Sequence, residues 1–259
     1  MKRFSDDINY IDAKWLVTED KKEDEVENLF LTLGIIFNDL VGLIYFEKLL
    51  IETYEKPKIE EVTGHAGTYA GIIIQINKLF AGTVNEFFAL LKEKNDLFNA
   101  GEFKEILGLL SKKDQRLWHS LIAAAHRDFI DVEDLLKAIV QIRHNLAFHF
   151  DNSSKILRKG YISYFFGKTK DKRNERAFYS LGDTIETTRF YFSDAAAEET
   201  IKLFAGKMPK ENSIEDLSFK KYLSQIRETI NVIATIISSL MKHYIQSRRN
   251  RPHKDFTVV

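Results

Sequence analysis

A helical apolar period constrains this chain more than any other feature. Between residues 23 and 54, Leu29, Leu33, Ile36, Leu40, Leu43 and Leu50 recur at intervals of three, four or seven. That spacing lays them along one stripe of a helix and is wrong for a strand, whose faces alternate. Lys56-Pro57 ends the run, because proline lacks the N–H that a helix interior needs. The HAGTYAG segment opens a second long helix, at about 68–93, with Ile72, Gln75, Ile76, Leu79, Val84, Phe87 and Leu91 in the same rhythm. Gly71 and Gly82 cost that helix about 1 kcal/mol each against alanine, a loss that close helix approach offsets. Shorter helices follow at 102–110 and 113–127, and Asp131 caps another that runs to Phe150. Asp151-Asn152-Ser153-Ser154 reads as a break, after which residues 155–166 are helical. Ser193-Asp194 caps a helix to about Phe204, and a long final helix starts at Ile214 or Leu217 and reaches Arg248, ahead of a polar tail.

One stretch reads differently. At 177–192, AFYSL, Gly182-Asp183 and IETTRFYF are rich in aromatic and β-branched residues around a turn, the pattern of a small β-hairpin. No repeat and no Pro- or Ser-rich linker divides the chain. The expected fold is therefore all-α, a helical bundle in one domain over 1–259, with its core at about 25–150 and a helical elaboration with the hairpin at about 153–250.

Charge narrows the partners. Lysine plus arginine (38) balance aspartate plus glutamate (38), which argues against capture of nucleic acid by overall charge but not by a local patch. Residues 1–63 hold 15 acids and 8 bases, whereas 152–177 hold 8 bases and 2 acids. The absence of cysteine excludes disulfides, thiolate metal sites and a cysteine nucleophile. The opening MKRFSDDINY places acids where a secretory signal needs apolar residues. Residues 29–46 carry Asn38 and Asp39 at their centre, and 232–241 is too short to span. Both are expected to be buried bundle helices. The expectation is a cytoplasmic protein with no membrane partner.

Several chemistries have no signature here. GxxxxGK[ST], GxGxxG after a strand, GxSxG and HExxH are all missing. His119 and His126 share a helix face, but no carboxylate is placed to complete a metal site with them, so no metal and no cofactor are expected. The basic segment interleaves Lys155, Arg158, Lys159, Lys168, Lys170, Lys172 and Arg173 with aromatics that include Tyr161. Cations for a phosphate backbone and flat rings for stacking suit single-stranded RNA. A solvated helix face beside a loop explains the same residues equally well.

The segment Gln141 to Asp151, QIRHNLAFHFD, carries the remaining constellation. At about 100° per residue, Leu136, Ile139, Val140, Leu146, Ala147 and Phe150 all fall within about 60° of Arg143, which puts the arginine near the middle of an apolar stripe. A guanidinium there needs a paired carboxylate, an oligomer interface or an anionic ligand. Asn145 and His149 are neighbours four apart on one edge of that stripe, and His144 and Phe148 pair on the far side.

Arg143-His144-Asn145-Leu146-Ala147-Phe148-His149 resembles the R-x(4–6)-H signature of the HEPN superfamily, with a polar residue, His144, directly after the arginine. The resemblance covers about residues 25–150. It implies an all-α bundle with the motif late in the core, and in many members a metal-independent endoribonuclease that acts as a homodimer, two motifs meeting to form one site. It also implies roles such as a toxin or a phage-defence effector, with an antitoxin or defence-system partner; other members are inactive nucleic-acid- or protein-binding scaffolds. The catalytic set carried over is Arg143, His149, Asn145 and His144. The chemistry suits these residues, since histidine moves protons near neutral pH and arginine holds charge growing on phosphate oxygens.

Overall fold

The three- and four-residue apolar spacings become helices across the described residues. The computed structural model describes Ile11, Leu16 and residues 25–55, 63–126, 139–143, 146, 150–166, 176–185, 188–205 and 215–249. In chain order the helices are α1 (Glu25–Thr53), α2 (Gly64–Glu93), a 3-10 turn (Asn95–Asn99), α3 (Gly101–Leu109), α4 (Lys112–His126), α5 (Phe150–Phe166), α6 (Tyr191–Ala205) and α7 (Glu215–Arg249). Residues 139–143 are helical as well, and no β-strand occurs among the described residues. The fold is all-α.

The long helices α1 and α7 lie antiparallel in one register. Glu27 pairs with Arg248, Phe30 stacks on Tyr244 at 4.0 Å, Gly34 faces Met241, and Glu47 pairs with Arg227. The contacts advance along α1 as they retreat along α7, with an ion pair near each end. Beneath them a single buried cluster runs through Leu33, Leu40, Phe80, Phe87, Phe103, Trp118, Ile226 and Ile237. The helices α3 and α4 close one end of it, where Trp118 meets Phe98 and Phe103 edge-on or tilted at 5.1 and 5.4 Å. Ser111 caps α4, its Oγ accepting from Asp114 N at 3.1 Å.

The expected stripe on α1 holds for Leu29, Leu33, Ile36 and Leu40, which are buried, whereas Leu43 and Leu50 are half-buried. Residues 29–46 are not buried on all sides as expected. Leu31, Ile35, Val41 and Phe46 are exposed on this helix, along with Asn38 and Asp39. By length and composition α1 is apolar enough to cross a membrane, with 28% of its most apolar window buried. On α2 the buried seam follows Ile74, Asn77, Phe80, Ala81, Val84, Phe87 and Leu91, while Gln75 and Leu79, expected inside, are exposed.

The helix α2 starts a turn earlier than its glycines suggest. Thr63 caps it, Oγ1 accepting from Ala66 N at 3.1 Å, and Gly64 and Gly67 serve packing instead of breaking the helix. A Cβ on Gly67 would lie 2.6 Å from the Tyr191 ring, and one on Gly71 would overlap the Arg189 guanidinium. These bare turns let α6 and the chain before it seat directly on α2.

The break expected at Asp151-Asn152-Ser153-Ser154 is instead part of the opening turns of α5. Packing overrides the weak local preference of such residues for turns. The helix α5 crosses α6 at Gly160, where a Cβ would overlap Thr200 Oγ1 and the Ala196 carbonyl. Gly160→Leu is therefore expected to cost about 1–3 kcal/mol by overpacking, read as a lower urea midpoint with an unchanged helical signal in the remaining folded population.

Among the described residues the expected hairpin contracts to one antiparallel bridge. Ser180 N donates to Arg189 O at 2.7 Å and Arg189 N returns to Ser180 O at 2.9 Å. Tyr191 and Phe192 then belong to α6, not to a strand. Asp194 does not act as the cap expected of it; its Oδ2 accepts from Arg189 Nε at 2.9 Å.

Two buried phenols make the fold sensitive to alkali. Burial pushes Tyr244 up to about 12, and its hydroxyl donates to the Leu16 carbonyl at 2.7 Å; burial also raises Tyr222. An unfolded tyrosine ionises near pH ~10, so the unfolded chain loses these protons first. Their contribution is complete below pH ~10 and falls as pH rises towards that of the folded phenol. Urea midpoints should drop over that window, with a shallower drop in Tyr244→Phe.

Candidate functional site

Arg143 sits where the residue 139–143 helix packs beside α2. Ile139, Ile142 and Leu146 are buried, and Val140 is half-buried. Among the described residues of this stretch the buried positions are Ile139, Ile142 and Leu146, and half-buried Arg143 lies at their margin. Ile142 takes the inward place that the wheel gave to Val140. From that margin Arg143 Nη2 reaches Glu86 Oε1 of α2 at 2.6 Å. The Arg143 side chain is 24% exposed and that of Glu86 56%. The guanidinium is thus partly covered, and its partner stands at the surface. Arg143 Nε is buried and has no hydrogen-bond partner among the described residues.

The backbone at this point departs from an ordinary α-helix. Arg143 and Leu146 take π-helical geometry, in which the hydrogen-bond ring widens by one residue. Such turns cost stability and are found disproportionately at functional positions. Beside them lies a groove of about 170 Å³ lined by Asn85, Phe88, Ala89, Lys92, Ala124, Ala125, Ile139 and Val140. That volume is below the ~300 Å³ typical of sites that enclose a small molecule.

Glu86 is the residue that sequence reasoning missed. It is a polar residue between two buried positions of α2, Val84 and Phe87, and nothing in the local pattern separates it from any other solvent-facing acid. Its pairing depends on the packing of two helices distant in sequence.

The other members of the motif, His144, Asn145 and His149, lie outside the described residues, as do Lys168, Lys170, Lys172 and Arg173 of the basic segment. The described part of that segment is on α5. Lys155, Arg158 and Lys159 are exposed there, and Ile162 and Phe166 share the same outward face by their spacing. Tyr161 is half-buried and packs against Phe165 at 4.5 Å between ring centres, so it supports the helix more than it presents a free ring. His119 and His126 on α4 are both exposed. No cluster of three metal-ligating side chains occurs among the described residues.

The last turn of α7 holds a different surprise. Arg248, the start of an incidental second R-x(4–6)-H spacing with His253, is 1% exposed. It pairs with Glu27 at 3.0 Å and Glu102 at 3.1 Å, and lies over the Tyr244 ring with 5.0 Å to its centre. This arginine ties α1, α3 and α7 together.

No family model, no curated protein and no solved structure matches the chain.

Proposed function

We propose that this protein is a metal-independent endoribonuclease of HEPN type that acts in the cytoplasm as a homodimer, with a composite site built from Arg143, Asn145 and His149 of two protomers. The observation that carries the reading is the setting of Arg143. It is held at the edge of the core by a carboxylate that itself stands at the surface. Arg248, which ties three helices together, is by contrast sealed with its acid.

In this reading Glu86 orients the guanidinium, and an RNA phosphate takes up its remaining donors. The 2′-hydroxyl oxygen attacks phosphorus while His149, or its counterpart across the dimer, takes the proton. The phosphorus–O5′ bond breaks, and a protonated histidine returns a proton to the leaving oxygen. The products are a 2′,3′-cyclic phosphate and a 5′-hydroxyl, and atoms balance with no water or metal consumed. Arg143 stabilises the charge that grows on the phosphorane, and Asn145 orients phosphate or histidine. The exposed Lys155, Arg158 and Lys159 supply cations for the RNA backbone. On a straight helix Arg143 and His149 are separated by roughly 9 Å along the axis, which favours their joining across two protomers.

Mixing tests the shared site. Arg143→Ala and His149→Ala are each inactive alone in this account. Refolded together at equal ratio, about half of the dimers are heterodimers whose shared site keeps one Arg143 and one His149, and part of the wild-type activity returns. Absence of recovery between two folded, dimeric variants would overturn the composite site. A second reading, an inactive HEPN-like scaffold, is favoured by the Glu86 pair itself, since a guanidinium committed to a carboxylate needs no substrate. Under that reading Glu86→Gln affects stability only; under ours it changes cleavage.

A further inference from the structure

The outer face of α1 carries no charge and lies open. Opposite the buried seam of this helix, the residues three or four apart are Asn28, Leu31, Ile35, Asn38, Gly42 and Phe46. Leu31 is 47% exposed, Ile35 63% and Phe46 64%. Single exposed apolar side chains are ordinary, but these share one line along the helix. The uncharged line runs on to Thr53, about 38 Å from Asn28, and at a width of ~10 Å it outlines about 400 Å². Apolar patches of that size mark interaction sites. It is small beside the ~800 Å² that each partner buries in a standard interface, so the contact is one that micromolar concentrations populate.

Gly42 sits in the middle of this line, and a Cβ there would meet nothing within 4 Å. Gly34, by contrast, lies against Met241, Gly67 against Tyr191 and Gly71 against Arg189. Glycine is the poorest helix former after proline. No described side chain uses its bareness at position 42, so the site suits the close approach of something outside the chain.

The order of residues along the line is its own complement. Turned end for end about a point midway between residues 38 and 39, the face sets Leu31 against Phe46 and Ile35 against Gly42. Asn38 then meets Asn38 of the second copy. Large meets small, and the central amides satisfy each other, as single polar residues do where they fix the register of paired helices. A two-fold contact requires this self-complementarity. Asp39, about 100° round the helix from Asn38, stays at the rim in solvent.

A bilayer fits the same face poorly. Asn38 and Asp39 stand at its centre, where hydrocarbon penalises polar and charged groups. The exposed charges of α1 are Glu25, Asp39 and Glu52 against Lys48, the wrong sign for anionic lipid.

We propose that α1 is a docking surface for a second copy of this chain, the two α1 helices packing antiparallel about Asn38. No residue of α1 lines the groove beside Arg143. This two-fold is therefore separate from the composite site and does not depend on the nuclease reading. A chain that makes both contacts assembles as a tetramer.

The chain has no cysteine, so single introduced thiols report the contact. Asn38→Cys at micromolar concentration under mild oxidation should become a disulfide-linked dimer, because the two positions meet within disulfide reach at the two-fold. His119→Cys, exposed on α4, should cross-link at least tenfold more slowly. Adding Gly42→Lys to Asn38→Cys should slow cross-linking at least tenfold. Its melting temperature in dilute solution should not fall, since position 42 is open in the single chain. Sedimentation equilibrium of wild type and Ile35→Lys makes the same comparison without a covalent trap, and Ile35→Lys should associate at least tenfold more weakly. Cross-linking of Asn38→Cys no faster than that of His119→Cys, or undiminished by Gly42→Lys, would overturn the proposal. So would flotation of wild type with phosphatidylcholine vesicles that Ile35→Lys abolishes, which would assign the face to a bilayer. Mixing Arg143→Ala with His149→Ala reads the other two-fold, so failure of either contact is seen apart from the other.

Discussion

Arg248→Ala is expected to destabilise the protein by about 3–5 kcal/mol, the range seen when one partner of a buried ion pair is removed. The size follows from what is left behind. Glu27 is 3% exposed and Glu102 20%, and both carboxylates converge on the same guanidinium. Without it, two negative charges remain close together in poorly solvated surroundings, and the cation over the Tyr244 ring is gone as well. Arg248→Lys is expected to recover only part of the loss, because one ammonium does not reproduce a planar fork shared by two acids. Arg248→Ala/Glu27→Gln should be more stable than Arg248→Ala alone, since it removes one of the stranded charges. For a domain of this size, the single change corresponds to a fall in melting temperature of roughly 6–20 °C. Urea unfolding of the three variants checks the order. Equal stability of Arg248→Ala and wild type would show that the acids find solvent, and that the last turn of α7 does not hold α1 and α3 in place.

Arg143→Ala should behave in the opposite way, with a large loss of RNA cleavage and little loss of stability. Its carboxylate partner is more than half exposed, and pairs of that kind contribute about 0–1 kcal/mol. Its proposed partner in the reaction is the phosphorane, where losing a preorganised donor costs about 10²–10³-fold in rate. Arg143→Lys keeps the charge but not the geometry and should recover little. Glu86→Gln leaves the arginine charged but less firmly oriented, so its effect on cleavage should be intermediate. The contrast between Arg143 and Arg248 is the useful one: two arginines at similar motif spacings, one sealed between helices and the other at a margin.

The helices were legible because their information is local. The spacing of Leu29, Leu33, Ile36 and Leu40 is enough to predict α1 and its inner face, and α2 to α4 and α7 follow to within a few residues. Misreadings arose where tertiary contact decides. Gly64 and Gly67 look like a loop until Tyr191 is seen lying against them. Asp151 to Ser154 look like a break until α5 is packed on α6. The aromatic run at 189–192 looks like a strand, yet Tyr191 and Phe192 open α6 once Phe192 N donates to Phe178 O at 3.2 Å. Of the candidate site, the need of Arg143 for a partner was legible from its helical position. The identity of that partner, Glu86, was not, because it lies on a helix far away in sequence. The buried role of Arg248 was hidden for the same reason, with Glu27 at the opposite end of the chain.

The most direct measurement incubates purified wild type and Arg143→Ala with mixed RNA in excess EDTA and examines the ends produced. The account predicts cleavage by wild type that leaves 2′,3′-cyclic phosphates and 5′-hydroxyls, and at least a hundredfold slower cleavage by a variant that is folded to the same melting temperature. Cleavage of equal rate by both proteins, or cleavage that EDTA abolishes, would contradict it.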